Sequence, residues 1–127
     1  MYKFGIEGFL HWGYNFYGTF HSLSRLNPYL SLDASGFGDG FAAADGYQVY
    51  PGSDGKPEES LRFMVFYHAL CDMRALQMLE SLTDKNYVVG LIEDGLPEPI
   101  TFYKYPHNDD YILNLRRRVN AEILKRI

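Results

Sequence analysis

The first pattern along the chain is an apolar stretch near its start. The sequence GFLHWGYN over residues 8–15 places Phe9, Leu10 and Trp12 close together without a regular alternation of apolar and polar positions. A strand that is apolar on both faces is typical of the buried interior of a parallel sheet. We therefore predict a buried strand over residues 8–15, with a binding site at its C-terminal end.

The longest helical pattern covers residues 57–82. Pro57 suits the first position of a helix, and Glu58 and Glu59 suit the positive end of its dipole. Apolar residues then recur every three to four positions, at Leu61, Val65, Ala69, Met73, Leu76 and Leu79. This spacing predicts one long helix that begins at Pro57.

Two shorter helices are predicted after it. Asp84 is suited to be the N-cap of a helix over residues 85–94 that Gly95 ends. Either Asn108 or Asp109 is expected to cap the last helix. That helix would place four apolar residues on one face, namely Ile112, Leu115, Val119 and Ile123.

The remaining segments lack a helical period. Residues 16–47 are predicted to form a long ordered loop, residues 47–52 a short extended segment that ends in a Pro-Gly turn, and residues 100–103 a second extended segment. The fold class is therefore α+β and helix-rich, with residues 1–127 as a single unit. A lone buried strand needs a partner, so it either pairs with an unrecognised segment or is the last piece of a larger sheet.

Composition narrows the classes of function. The chain has 127 residues, which is enough for one domain with a modest core. Its 11 Tyr, 9 Phe and single Trp indicate a Tyr-lined surface or cleft in addition to a core. The net charge of −4 argues against a general nucleic-acid binder. The basic run Arg116–Arg118 is interpreted as a solvent-exposed helix face.

The chain carries few signs of targeting. Its single cysteine, Cys71, cannot form an internal disulfide and fits a reducing compartment. The start lacks a signal-peptide pattern, and no apolar run approaches the ~20 residues that cross a bilayer. We expect a cytoplasmic location without membrane contact.

Three segments match motifs of a known family. The first match comprises Gly8, Phe9, Leu10, Trp12, Tyr14 and Asn15. The second comprises Asp45, Tyr47, Tyr50, Pro51 and Gly52, and the third comprises Ser60, Leu61, Arg62 and Asp72. Together they resemble the C-terminal domain of glycoside hydrolase family 123-like proteins, over most of residues 2–82.

The chain also departs from this pattern. Met64 and His68 stand where many relatives have acidic residues, and both Asp39 and Asp45 are candidates for the family's Asp position. The two aspartates stay open as alternatives.

The resemblance implies a catalytic region similar to a (β/α)8 barrel, of which this chain would supply the last strand and the last helices. It also implies hydrolysis of β-linked N-acetylhexosaminides, with the acetamido group of the substrate as nucleophile and an adjacent Asp-Glu pair assisting. That pair has no matching position here, and a barrel needs about 250 residues. We expect the chain to be inactive alone, and to bind an amino sugar only where an upstream barrel half completes the site.

The motif residues receive roles on this basis. Trp12 or Tyr14 would form a platform for the sugar ring, and Asn15 and Tyr50 would hydrogen-bond its hydroxyls. The alternative is that Trp12 and Tyr14 are plain core residues. His11 is interpreted as a buried histidine with satisfied nitrogens, on the strand face opposite Trp12.

Other candidate sites are weaker. Arg62 and Asp72 are interpreted as structural, with Arg62 pairing with a carboxylate or a loop carbonyl so that the Tyr-Pro-Gly turn stays against the helix. His68 and Asp72 share a helix face with Cys71, but a metal site needs three or four converging ligands, so neither a metal nor another cofactor is expected. The glycine-rich GFGDGF over residues 36–41 lacks the ending of a phosphate loop.

A second class of function fits the same sequence. The chain could be a small helix-rich interaction module without catalysis, in which self-association as a homo-oligomer covers the exposed strand.

Overall fold

The computed structural model describes residues 1–19, 22–32 and 44–127. Its architecture is α+β and helix-rich, as predicted. After a 3-10 turn at Tyr2–Phe4, the elements are β1 (Gly18–Thr19), β2 (Ser22–Arg25), β3 (Val49–Pro51), β4 (Pro57–Glu59), α1 (Leu61–Leu82), α2 (Lys85–Glu93) and α3 (Asp109–Leu124). In the described part of the chain, β1 pairs with β2 and β3 pairs with β4, both antiparallel.

The chain divides into two compact units. One comprises Gly8–His68 and is here called the aromatic unit; the other comprises Met1–Glu7 with Ala69–Ile127 and is called the helical unit. The assignment of all 127 residues to one segment of a catalytic domain stays a prediction.

The helical unit has a core built mainly of aliphatic side chains. Leu79 of α1 and Val88 of α2 are completely buried, and the predicted apolar face of α3 supplies three further core residues, Leu115, Val119 and Ile123. Ile112, the fourth residue of that face, is 38% exposed. The three-to-four-residue period therefore identified the core side of α3 for three of four positions.

Both short helices begin at a side-chain cap. The carboxylate of Asp84 accepts a hydrogen bond from the Tyr87 amide at 2.9 Å, and the Asn108 side chain accepts one from the Tyr111 amide at 2.8 Å. Asn108 rather than Asp109 is thus the cap of α3. Gly95 follows α2 with φ of 79°, a left-handed conformation that glycine adopts without strain.

The prediction that α1 begins at Pro57 is wrong. Pro57–Glu59 forms β4, which pairs with Val49–Pro51 in register Val49↔Glu59. The intervening turn is closed by a hydrogen bond from the Gly52 amide to the Lys56 carbonyl at 2.8 Å. The glutamates at positions 58 and 59 therefore lie on a hairpin, and Leu61 is the first helical residue.

The predicted buried strand over residues 8–15 is also wrong. These residues are not in a strand: Asn15 forms one isolated antiparallel bridge with Tyr47, and no longer pairing joins the segment to other described residues. Its side chains are not buried either, since Phe9 is 61% and Leu10 94% exposed. Glycines within the segment weaken a strand, and an unpaired strand leaves its backbone groups unsatisfied.

Of the segments without a helical period, one agrees with its prediction and two differ from it. The extended segment at residues 47–52 is confirmed as β3. Within the described part of residues 16–47, β1 and β2 form an antiparallel pair instead of a loop. Residues 100–103 are not extended, because the Thr101 amide donates to the Lys104 carbonyl at 2.9 Å and closes a turn. Asp39 and the GFGDGF motif lie outside the described residues.

The basic run of α3 is not simply solvent-exposed. Arg116 binds the carboxylate of Asp72 through two hydrogen bonds of 2.6 Å, and Arg118 binds Asp94 at 2.6 Å. Arg117 contacts the Asn114 side chain at 3.0 Å on the exposed side. Among the described residues, no helix combines the length and the apolar character that a membrane span requires.

Candidate functional site

Backbone pairing brings the two principal motifs of the aromatic unit together. The Phe16 amide donates to the Gly46 carbonyl at 2.9 Å, and the Gln48 amide donates to the Tyr14 carbonyl at 2.7 Å. These bonds flank the bridge between Asn15 and Tyr47. The segment that was predicted as a strand thus lies beside the Asp-Gly-Tyr loop over a few residues.

This pairing depends on a glycine at position 13. Gly13 is buried, and a Cβ atom added to it would lie 2.6 Å from the Gly46 carbonyl oxygen. Such a separation is far below van der Waals contact, so a larger residue would push the two backbones apart. The close approach of the two segments therefore requires glycine at position 13.

The carboxylate of Asp45 connects two aromatic side chains. Its Oδ2 atom accepts a hydrogen bond from Trp12 Nε1 at 2.7 Å, and its Oδ1 atom lies 3.1 Å from His11 Nε2. The bond from Trp12, supported by the bond and the charge of His11, lowers the pKa of Asp45, although partial burial acts in the opposite direction. Asp45 is therefore an ionised acceptor at neutral pH.

His11 and Trp12 do not point to opposite sides, contrary to the prediction. Their rings lie with centroids 6.4 Å apart and planes inclined by 23°, and both reach the same carboxylate. The alternation of a strand does not apply because the segment is not a strand. The two rings form one surface with Asp45.

Both nitrogens of His11 have partners, as predicted. Nε2 faces the Asp45 carboxylate at 3.1 Å, and Nδ1 lies 2.8 Å from the Gly13 carbonyl oxygen and 3.2 Å from the Gly13 amide nitrogen. The predicted burial is wrong, because the His11 side chain is 27% exposed and thus only partly buried. Because both ring nitrogens are engaged, His11 is better suited to orient Asp45 than to act as a base.

The aromatic rings around this group are open to solvent. Trp12 is 46%, Tyr14 51% and Phe16 37% exposed. The Trp12 and Phe16 rings lie 5.5 Å apart, and Tyr14 meets Phe63 edge-on at 6.4 Å. Flat, partly exposed rings in fixed positions are the surfaces on which the C–H face of a pyranose can stack.

A second cluster is built from tyrosines. Tyr47 is completely buried, and its hydroxyl lies 3.1 Å from the carbonyl oxygens of both Pro28 and Ser31. Burial raises the pKa of Tyr47 above its usual value. Tyr50 meets the Tyr47 ring edge-on at 5.5 Å and stacks on the exposed Tyr29 at 5.0 Å. Tyr50 therefore lies between a core ring and a surface ring.

Arg62 is the basic residue of this cluster. Its Nε donates to the Tyr47 carbonyl at 3.3 Å, and its guanidinium carbon lies 5.1 Å from the Tyr47 ring centre and 5.6 Å from that of Tyr50. Its Nη2 atom is buried without a hydrogen-bond partner among the described residues. Arg62 therefore binds the loop carbonyl, one of its two predicted partners, and cation–π contacts with both rings add to this attachment.

The predicted site residues fall into both units. Trp12, Tyr14, Asn15 and Tyr50 belong to the aromatic unit, and their binding roles stay predictions. Asp72 belongs to the helical unit, where Arg116 binds it.

The sequence did not identify the central position of Asp45 or the stacking of Phe16 and Tyr29. The only available signal was the Asp-Gly-Tyr sequence of residues 45–47, in which Asp45 competed with Asp39.

Comparison with known families gives the class of the protein. A model of glycoside hydrolase catalytic domains matches residues 1–79, which include the whole aromatic unit and part of α1. The model is that of the glycoside hydrolase 123 catalytic domain, and the chain belongs to this family. No curated protein matches the chain.

Proposed function

We propose that the aromatic unit supplies the substrate-lining part of a family 123 β-N-acetylhexosaminidase, with an amino sugar as its ligand. We further propose that the chain is the C-terminal part of a catalytic domain similar to a (β/α)8 barrel. Trp12 and Tyr14 present rings to the sugar, and Asn15 and Tyr50 bind its polar groups. Family membership over residues 1–79 supports the class of reaction.

The observation that carries this proposal is the fixed and exposed ring of Trp12. Its indole nitrogen is bound to Asp45 at 2.7 Å while 46% of the residue stays exposed. A side chain that is already held in one rotamer in the free protein loses little further conformational entropy when a ligand binds. An exposed indole held in this way is suited to stacking on a sugar.

The reaction itself needs groups from outside these residues. Substrate-assisted hydrolysis requires one carboxyl to orient the acetamido group and another to protonate the leaving oxygen. The sequence contains no adjacent Asp-Glu pair in that order. The sequence predicts binding only in a completed site, but the exposed and fixed Trp12 ring leads us to propose that the 127 residues bind an amino sugar on their own without hydrolysing it. The catalytic pair would come from an upstream barrel half on the same or another chain.

Trp12 provides a direct test because it is the single tryptophan of the chain. N-acetylgalactosamine and N-acetylglucosamine should change its fluorescence with saturation at millimolar sugar, whereas galactose and glucose should act more weakly. Tyr14→Ala should weaken the change, and Tyr67→Ala, at another half-exposed tyrosine, should not. An unchanged signal at millimolar amino sugar would contradict the proposed site. Release of 4-nitrophenol from a 4-nitrophenyl β-N-acetylhexosaminide by the chain alone would contradict the proposed inactivity.

A second function is favoured by exposed apolar side chains in the aromatic unit. Leu10 is 94%, Leu61 85% and Val65 68% exposed. Leu61 and Val65 are four residues apart on α1 and therefore adjacent on its surface. Contiguous exposed apolar side chains are typical of surfaces that a partner covers, so the chain could be a self-associating module without catalysis. A stable dimer in sedimentation equilibrium, combined with no response to amino sugars, would favour this alternative.

A further inference from the structure

The helical unit contains a cleft that lies outside the residues matched by the family. It has a volume of about 470 Å³ and is formed by the segment between α2 and α3. Its lining includes Pro97, Glu98, Tyr103, Lys104, Tyr105 and His107. This volume lies within the range of small-molecule sites, and the lining combines aromatic rings with a few polar groups.

The segment is fixed to the rest of the unit at its first half. The Glu93 carboxylate accepts hydrogen bonds from Lys3 Nζ at 2.6 Å and from the Ile100 amide at 2.7 Å. The bond from Lys3 is the main reason that the pKa of Glu93 is lowered. Phe4 and Phe102 stack with centroids 4.4 Å apart. The backbone at the start of the segment is therefore held in place before a ligand arrives, which reduces the entropy cost of ordering it on binding.

A closed turn presents one tyrosine at the cleft. The Thr101 hydroxyl oxygen accepts hydrogen bonds from the Tyr103 amide at 3.3 Å and the Lys104 amide at 3.0 Å. The side chain of Tyr103 stays in solvent, with 92% of the residue exposed. The fold thus fixes the backbone beneath an almost fully exposed ring, which contributes little to the stability of the free protein.

The polar groups of the cleft indicate the kind of ligand. Lys104 Nζ donates to the Glu98 carboxylate at 2.8 Å, so a donor and an acceptor of opposite charge stand together. Tyr105 and His107 stack at 4.4 Å and add a second flat surface. Sugar hydroxyls both donate and accept hydrogen bonds, so neighbouring hydroxyls can bind Lys104 and Glu98 at the same time. Because the ion pair has no net charge, a neutral ligand suits it. Exposed aromatic rings can also bind proline-rich peptides, but a polyproline segment has no N–H group to donate to Glu98, so it fits this cleft less well than a sugar.

We propose that this cleft binds a neutral saccharide, with the Tyr103 ring stacked on a pyranose and with Lys104 and Glu98 bound to its hydroxyls. The proposal does not depend on Trp12 or on the catalytic function of the aromatic unit. The two sites are therefore separable by experiment.

The test uses the full chain and three neutral trisaccharides as probes, namely chitotriose, maltotriose and cellotriose. Amide chemical shifts in ¹H–¹⁵N spectra should move at Tyr103, Tyr105 and His107 with at least one of them. The same shifts should appear in a Trp12→Ala background, which distinguishes this cleft from the proposed site of the aromatic unit. Tyr103→Ala should weaken the binding by about tenfold, because it removes the stacking surface.

Tyr67→Ala is the matched control, since Tyr67 is a half-exposed tyrosine outside the cleft, and it should leave the shifts unchanged. Because Tyr103 is almost fully exposed, its replacement should leave the circular dichroism spectrum intact. The proposal is overturned if no trisaccharide moves these amides, if Tyr103→Ala binds with unchanged affinity, or if a decaproline peptide moves the amides and the trisaccharides do not.

Discussion

Trp12 Nε1 donates a hydrogen bond of 2.7 Å to the carboxylate of Asp45, 33 residues further along the chain. The second oxygen of the same carboxylate lies 3.1 Å from His11 Nε2. One acidic side chain thus orients two neighbouring rings in a segment that has no regular secondary structure. The arrangement makes Asp45 the residue on which the proposed sugar platform depends.

Replacing Asp45 by Ala should destabilise the aromatic unit by about 1–2 kcal/mol, because two ring donors lose their acceptor while the site remains partly open to water. Urea unfolding followed by Trp12 fluorescence would measure this change. Glu59→Ala is the control, since Glu59 is an exposed carboxylate of the same unit. Equal effects of the two substitutions would contradict the role of Asp45.

The same carboxylate should make stability depend on acid pH. Its hydrogen bonds lower the pKa of Asp45 in the folded state, whereas in the unfolded chain the carboxyl group has a pKa of about 4. The extra stability is therefore complete above about pH 4 and is lost as the pH falls through the folded pKa.

The difference in unfolding free energy between the native chain and Asp45→Asn isolates this contribution from other carboxylates. Glu122, whose pKa is lowered to about 2 by Lys125, Tyr87 and Arg126, is present in both proteins and cancels. The difference should shrink as the pH is lowered below about 4. A difference that grows under acid conditions would have the opposite sign and would exclude the explanation.

Gly13→Ala should disrupt the pairing of the two motif segments. The new Cβ would lie 2.6 Å from the Gly46 carbonyl oxygen, so the expected cost is about 1–3 kcal/mol. Gly8→Ala is a matched control, because nothing lies within 4 Å of a Cβ at that position. It should be neutral or stabilise the protein by up to about 1 kcal/mol. Chemical denaturation of both variants would decide, and equal stabilities would show that the close approach has no energetic consequence.

Features encoded by a few adjacent residues were predictable from the sequence. The caps Asp84 and Asn108 each bind an amide three residues later, so the residue type and the apolar period suffice to locate them. The start of α1 was missed because Pro57 fits both a first helical turn and an edge strand. Pairing with Val49–Pro51 decides between the two, and that contact is not visible in local composition.

The site was predictable in part for the same reason. The motifs indicated the family and assigned Trp12 and Tyr14 to a sugar platform, but Asp45, which binds Trp12, lies 33 residues further along the chain. The apolar run of residues 8–15 suggested burial, whereas Leu10 is almost fully exposed. An apolar run indicates a tendency to be buried, but it does not show whether the same chain or a binding partner buries it.

Ser60→Ala should shorten or loosen the start of α1. The Ser60 hydroxyl oxygen accepts a hydrogen bond from the Phe63 amide at 3.1 Å and donates to the Gln48 carbonyl, and Ser60 is only 4% exposed. Loss of a cap of this kind costs about 1 kcal/mol. Thermal unfolding should show a lower midpoint, whereas Ser53→Ala in the exposed turn should not change it. An unaffected midpoint in Ser60→Ala would mean that β4 alone sets the helix start.

The ion pair between Asp72 and Arg116 tests the structural role assigned to Asp72. The guanidinium binds both carboxylate oxygens at 2.6 Å, a geometry that a lysine cannot reproduce. The side chains are 20% and 36% exposed, so water weakens the pair. We expect a coupling free energy of about 0.5–1 kcal/mol from a double-mutant cycle of Asp72→Ala and Arg116→Ala.

Three further measurements distinguish a direct ion pair from other causes of the coupling. Arg116→Lys should recover less than the full coupling, because the ammonium group binds one oxygen at a time. The coupling should also decrease in high salt, since the pair is partly solvent-exposed. Arg117→Ala should show no coupling to Asp72, because Arg117 contacts Asn114 instead. Additive effects of Asp72→Ala and Arg116→Ala at low salt would show that the two α-helices are held together by their apolar faces alone, and Asp72 would lose its assigned role.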